Sequence, residues 1–265
     1  MNHHLRQMED FASQHLWPIR RNRLLYLVRR LTHHWRLVHQ TTSSITGPIT
    51  VWELGRERRI VFGEHTGGTT QSIIFTRGSW AQLGREYWGH ALRPPALVPP
   101  DSRILILGLG GGTMVHLAHQ LLTPKDITVV ELDPVVIEVA RRFMGLDQLP
   151  NVHYCAGDAY EVLDELTDSN RFDLVIEDIF YAGFPGKGED HVRAHLDRLT
   201  RVLSPAGSIV LNRWFAYWNG TPQDSGQDLL EELLNERGCV VSRKKIKQRW
   251  FNELIFASRT RQPDA

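Results

Sequence analysis

From Arg103 onward the chain alternates short apolar runs with segments of helical spacing, and no other feature of the sequence narrows the fold as much. Arg103–Leu107 leads into a helix reaching Leu122, Ile127–Leu132 into one over Pro134–Met144, and Val152–Cys155 into one over Tyr160–Leu166. Phe172–Asp178 then precedes a helix over Asp190–Leu203, and Ser208–Asn212 follows it after a tight turn at Leu203–Gly207. Strands separated by helices return in the same direction, so the alternation predicts a parallel sheet with helices on both faces. The end of the chain departs from this pattern. After a helix over Gly226–Arg237, Cys239–Lys247 and Trp250–Ser258 are strand-like runs joined by a short link, which predicts an antiparallel pair at the sheet edge. Residues 101–265 are therefore read as one α/β domain.

Two smaller segments come first. Residues 48–100 hold strand-like runs at Ile49–Leu54, Arg59–Gly63 and Thr70–Phe75, punctuated by glycines, then a helix over Ser79–Ala91. Arg93-Pro94-Pro95 and Pro99-Pro100 make a stiff connection into the α/β domain, since proline fixes φ and lacks a donor. Residues 1–47 read as an amphipathic basic arm. Leu24, Leu27, Val28, Leu31, Trp35 and Val38 recur at helical spacing over Asn22–Gln40, with Arg21, Arg29, Arg30 and Arg36 on other faces. The net charge of +1 hides this asymmetry: Arg6, Arg20, Arg21, Arg23, Arg29, Arg30 and Arg36 face only Glu9 and Asp10 in that region. Such an arm predicts docking on its own domain or on a second copy of the chain, giving a homo-oligomer. Contact with nucleic acid or a membrane surface is the second reading.

No apolar run is long enough for a membrane span and no secretory signal pattern opens the sequence, so the default expectation is a cytoplasmic protein. Cys155 and Cys239 both fall in apparent strands and read as reduced thiols. The 13 His show no metal-ligand spacing, so no metal is expected.

Chemistry is concentrated where strands end. Ile104–Leu107 runs into Gly108-Leu109-Gly110-Gly111-Gly112-Thr113 and then a helix. Glycines at a strand-to-helix turn let a ligand approach the backbone, and the helix start offers free N–H groups. A dinucleotide fingerprint needs a glycine where Thr113 stands, which weakens a nicotinamide reading. Glu131 closes the second strand, where a carboxylate can accept both hydroxyls of a ribose; alternatively it is a solvated strand end. Asp158 follows the third strand and can accept from an adenine amino group; alternatively it caps the helix that follows.

Ile104–Thr113, Val129–Pro134, Gly157-Asp158-Ala159 and Phe172–Asp178 resemble the successive motifs of spermidine synthases and their relatives in the class I S-adenosylmethionine-dependent methyltransferase superfamily. Gln71 likewise stands where that family carries a Gln ahead of its own helix. The resemblance, from about residue 50 to residue 258, implies a Rossmann-like sheet with an antiparallel edge hairpin. It also implies S-adenosylmethionine or decarboxylated S-adenosylmethionine as co-substrate. Gly108, Gly110 and Gly111 would then lie along the amino-acid or aminopropyl part of the nucleoside, with Glu131 on the ribose and Asp158 on the adenine. The glycine-rich run from Ala182 to Glu189 takes the position of the family's lid; a plain surface loop is the alternative.

The resemblance breaks at the acceptor. Spermidine synthases end the fourth strand with an Asp-Ser-Ser-Asp-Pro-like run, whereas this chain has Asp178-Ile179-Phe180-Tyr181-Ala182. Asp178 keeps the first carboxylate, a base or ammonium anchor; Tyr181 replaces the second. Phe180, Tyr181 and the aromatics of Asn212–Trp218 could wall an acceptor pocket, although packing of helix on sheet is the more common use of such residues. The expectation is a methyltransferase acting on a small-molecule or amine acceptor, with Asp178 as its catalytic residue. A polyamine aminopropyltransferase and a non-catalytic nucleoside-binding scaffold are the alternatives.

Overall fold

The computed structural model describes residues 35–63, 68–166, 171–179, 189–214, 217–218, 221–222, 227–247 and 251–259. Its first part is an antiparallel sheet in the order β1 (Arg36–Ser43), β2 (Gly47–Leu54), β3 (Glu57–Phe62) and β4 (Thr69–Phe75). The helix expected over Asn22–Gln40 is corrected where it can be seen: Arg36–Gln40 is strand, and residues 22–34 lie outside the described residues. β-branched Val38, Thr41 and Thr42 favour the extended chain. Leu37 also finds a cross-strand partner in Trp52, beside a cluster of Trp35, Trp52, Leu54 and Val61. The boundary placed at residue 48 consequently falls inside the β1–β2 hairpin, whose turn ends at Gly47 with φ +78°.

The helix expected over Ser79–Ala91 shrinks to a 3-10 turn at Leu83–Arg85 and a short α1 (Tyr87–Ala91). Glycines allow this fold-back: a Cβ on Gly89 would stand 2.2 Å from the carbonyl oxygen of Gly84.

The main sheet has seven strands in the order β12-β13-β9-β8-β5-β6-β7. Parallel β5 (Arg103–Leu107), β6 (Asp126–Glu131), β7 (Val152–Ala156), β8 (Phe172–Glu177) and β9 (Leu203–Trp214) alternate with α2 (Thr113–Leu121), α3 (Pro134–Phe143), α4 (Ala159–Glu165) and α5 (Glu189–Arg201). A two-residue ladder of β10 (Tyr217–Trp218) and β11 (Thr221–Pro222) precedes α6 (Gln227–Glu236), and the predicted edge pair is β12 (Cys239–Lys247) with β13 (Phe251–Arg259). β13 inserts antiparallel between β9 and β12. The turn expected at Leu203–Gly207 is instead an interruption of register within β9: Phe172 faces Leu203, but Leu174 faces Ser208. Cys155 on β7 and Cys239 on β12 are free thiols.

Strand alternation divides the core. Ile104 and Ile106 of β5 join Ile176, Val210 and Leu254 under α1 and α2. Leu105 and Leu107 point the other way, with Val175 and Leu211, under α4, α5 and α6. Because β5 has β6 on one side and β8 on the other, strand order reverses there, and in open α/β sheets the ligand crevice lies beyond the carboxyl ends of the strands at such a point.

The small sheet is fastened beside this crevice. The Thr113 hydroxyl donates to the Ile73 carbonyl (2.8 Å) and accepts from the Ile73 N–H (3.0 Å). Thr46 N–H donates to Asp133 (3.2 Å), and Arg58 to the carbonyl of Phe143 (2.6 Å). We predict that Thr113→Val, which leaves the buried Ile73 N–H without its acceptor, will cost about 1–3 kcal/mol. Urea unfolding measures this, and a change under about 0.5 kcal/mol would show that the link contributes little.

Candidate active site

The turn after β5 is held from three sides. Gly108 takes φ +93°, and a Cβ there would lie 2.5 Å from the carbonyl oxygen of Asp178, so only glycine lets the ends of β5 and β8 approach this closely. Gly110 sits against Gln71 of β4, 3.7 Å being the distance from its notional Cβ to that of Gln71. Gly111 donates its N–H to the Ser72 hydroxyl (2.7 Å), and a side chain there would collide with Ile60 and Ser72. The fold thus brings Gln71 to the glycine turn across the junction of the two sheets.

Glu131 ends β6 with both oxygens engaged: Oε2 accepts from Leu109 N–H (2.9 Å) and Oε1 from Asp133 N–H (3.1 Å). These bonds tie the glycine turn to the next strand, and each carboxylate oxygen has capacity for a further donor. Asp158 is the N-cap of α4, its Oδ1 accepting from Tyr160 N–H (2.7 Å), so the capping role is present in the geometry. Oδ2 has no hydrogen bond among the described residues.

Asp178 follows β8, its N–H bonded to Leu107 of β5 (2.8 Å). Its carboxylate receives two donors: Asn212 Nδ2 on Oδ1 at 2.6 Å and the Tyr87 hydroxyl on Oδ2 at 3.1 Å. Asn252 of β13 donates to Asn212 Oδ1 (2.9 Å), which fixes the amide so that its NH2 faces Asp178. Burial pushes the Asp178 carboxyl up to about 6, against the lowering effect of its two donors, with nearby Glu177 raising it and Arg213 lowering it. Burial and the Asp178 charge push the Tyr87 phenol well above its ordinary value, so it stays a donor.

Behind this group, on the opposite face, Glu177 is paired with Arg213 through Nη1–Oε1 (3.1 Å) and Nη2–Oε2 (2.9 Å) and with His195 Nε2 (3.1 Å). Burial alone would raise the Glu177 carboxyl, yet Arg213 and His195 hold it down at about 2. Sequence reasoning missed Tyr87, Asn252 and the Glu177–Arg213–His195 cluster, and treated Asn212 only as the head of an aromatic run. Tyr181 and residues 182–188 lie outside the described residues, as do the side chains of Trp214–Trp218; Glu189 opens α5. No helix among the described residues is long and apolar enough to cross a membrane.

Comparison with known proteins bears on the family and the fold. Residues 94–215 match the spermine/spermidine synthase domain model. The chain is 29% identical over 179 residues to a polyamine aminopropyltransferase of Vibrio vulnificus, covering 66% of this chain and 58% of that one. It is 32% identical over 118 residues to the eEF1A lysine and N-terminal methyltransferase homolog of Drosophila melanogaster, covering 42% of this chain and 18% of the relative. The chain thus spans less than two thirds of either relative. In structure it resembles the spermidine synthase of Thermotoga maritima, with TM-score 0.59, 19% identity and coverage of 87% of this chain and 75% of that one. It also resembles human methyltransferase-like protein 13 in complex with SAH, with TM-score 0.52, 23% identity and coverage of 68% and 82%. Domain match and fold point the same way: residues 94–215 match the spermine/spermidine synthase domain, and the α/β sheet that holds them has the fold of the spermidine synthase and methyltransferase-like neighbours.

Proposed function

We propose that the chain is an S-adenosylmethionine-type transferase that moves a methyl group onto a nucleophile held at Asp178. The observation that carries this reading is the half-buried Asp178 carboxylate, fixed by Tyr87 and Asn212 at the strand-order reversal and backed onto the glycine turn. The free lone pairs of Glu131 suit the two ribose hydroxyls, and Oδ2 of Asp158 suits an adenine amino group. Leu132, half exposed beside Glu131, adds apolar surface for the purine. Gly108, Gly110, Gly111 and Gln71 would border the amino-acid end of the donor.

The chemistry is an in-line displacement. A bond forms from the acceptor's lone pair to the transferred carbon as the carbon–sulfur bond breaks, and the electron pair leaves on sulfur as a neutral thioether. An amine acceptor gives up its proton, which Asp178 can take. The protein's part is alignment and exclusion of water.

A second reading, aminopropyl transfer from the decarboxylated donor, is favoured by the identity to the Vibrio protein. Against it stands Tyr181, where the spermidine synthase pattern has its second carboxylate. The leaving thioether separates the two: methyl transfer releases S-adenosylhomocysteine, aminopropyl transfer releases methylthioadenosine. Mass spectrometry of the nucleoside released from each donor, with polyamines and lysine peptides as acceptors, is expected to find S-adenosylhomocysteine. Methylthioadenosine instead would establish the second reading. Neither product, with donor still bound, would mark the chain as a nucleoside-binding scaffold. The N-terminal arm and its expected role in a homo-oligomer remain part of the proposal, since residues 1–34 lie outside the described residues.

A further inference from the structure

The pairing of β8 with β9 ends at Glu177 opposite Leu211, and the next residues of the two strands cross-link on both faces. On the crevice face Asn212 holds Asp178; on the other face Arg213 holds Glu177. Two carboxylates are therefore consecutive in the chain, one facing the proposed acceptor and one sealed in the core. Glu177 is 3% exposed, Arg213 7% and His195 0%, so water screens this pair little. Arg213 is also braced by its Nη1 bond to the Asn212 carbonyl (2.9 Å), which joins the guanidinium to the residue that donates to Asp178. A buried ion pair seldom adds net stability over apolar packing, so its presence here calls for another account.

We propose that Arg213 is a positioning residue for the transfer reaction, keeping Asp178 ionised by neutralising Glu177 and holding Asn212 against it. This rests on the reading of Asp178 as the acceptor carboxylate. Among the described residues, the charged and titratable groups acting on Asp178 are Tyr87 from α1, Glu177 from its own strand and Arg213 from β9; His195 of α5 bonds Glu177 and packs on the Tyr160 ring. Were Arg213 neutral, the charge of Glu177 would oppose ionisation of Asp178 at the distance of one residue. Were Glu177 neutral, the guanidinium would favour it. With both neutral, the two effects cancel.

Carbon-13 NMR on protein labelled at the Asp carboxyl carbon reads this without any substrate, the Asp178 signal being assigned by its loss in Asp178→Asn. Failure of the ionisation result is therefore distinct from failure of the transferase reading. Relative to the unsubstituted protein, Arg213→Gln is expected to raise the Asp178 midpoint by at least about one pH unit, tenfold in the proton equilibrium. Glu177→Gln is expected to lower it by a similar amount, and Glu177→Gln with Arg213→Gln to return it to within about half a unit. An unmoved midpoint in both single variants, or the same shift in the double variant as in Arg213→Gln, overturns the proposal. Should Arg213→Gln fail to fold, Glu177→Gln and the double variant decide alone: absence of the fall in Glu177→Gln overturns it.

Discussion

Asp178→Asn is expected to lower turnover by about 100- to 10,000-fold while leaving donor affinity within about twofold, the range for loss of a general base. The substitution keeps the shape of the side chain and its neighbours Asn212 and Tyr87 but removes the proton acceptor. A pH profile gives the same claim a second test. Only the deprotonated carboxylate can take the acceptor's proton, and the Asp178 carboxyl titrates at about 6, so activity should rise with pH through that region. That acid limb should disappear in Asp178→Asn. A loss under about tenfold would leave Asp178 an anchor alone, and full turnover would move attention to the aromatic run from Trp214 to Trp218.

Glu131→Ala is expected to weaken donor binding by about 1.5–3 kcal/mol, roughly 10- to 150-fold in Kd, because the ribose hydroxyls lose a charged partner. Glu131 also accepts from Leu109 and Asp133, so the glycine turn loosens in the same variant. Glu131→Gln separates the two effects, since it keeps an acceptor oxygen and removes the charge; its Kd should fall between those of the parent and Glu131→Ala. Asp158→Ala should weaken donor binding less than Glu131→Ala, as one neutral amino group is lost, and should also cost about 1 kcal/mol of stability through the missing cap of α4. Equilibrium titration with chemically unfolded fractions measured in parallel gives both numbers. An unchanged Kd in a folded Glu131→Ala protein would remove the ribose assignment.

What could be read from the sequence and what could not divide by chain separation. The places of the glycine turn, Glu131 and Asp158 were legible because each lies at or just past the end of its strand, and a strand end in an alternating α/β pattern is a place where ligands bind. Of the hydrogen-bonded group around Asp178, only Asp178 itself was legible. Tyr87 reaches it from 91 residues away and Asn212 from 34, and no local pattern marks either. Glu177 reads as the last residue of an apolar strand, and its charge makes sense only once β9 is placed beside β8 and delivers Arg213. The mistaken helix over Arg36–Gln40 has the same origin. Val38 continued a helical spacing from Leu24 onward, yet the pairing of Leu37 with Trp52 across the hairpin decides the conformation. The β12–β13 pair was legible from its two runs, whereas the place of β13 between β9 and β12 was not.

The central claim is that the crevice binds an S-adenosyl donor and, between the two donor types, the one that retains its carboxylate. Calorimetric titration of the full chain with S-adenosylmethionine and with its decarboxylated form tests this directly. The account predicts saturable one-to-one binding of both, with S-adenosylmethionine tighter by at least about tenfold, or about 1.4 kcal/mol. A tenfold preference for the decarboxylated donor would contradict the methyl-transfer reading, and no binding of either would contradict the site itself.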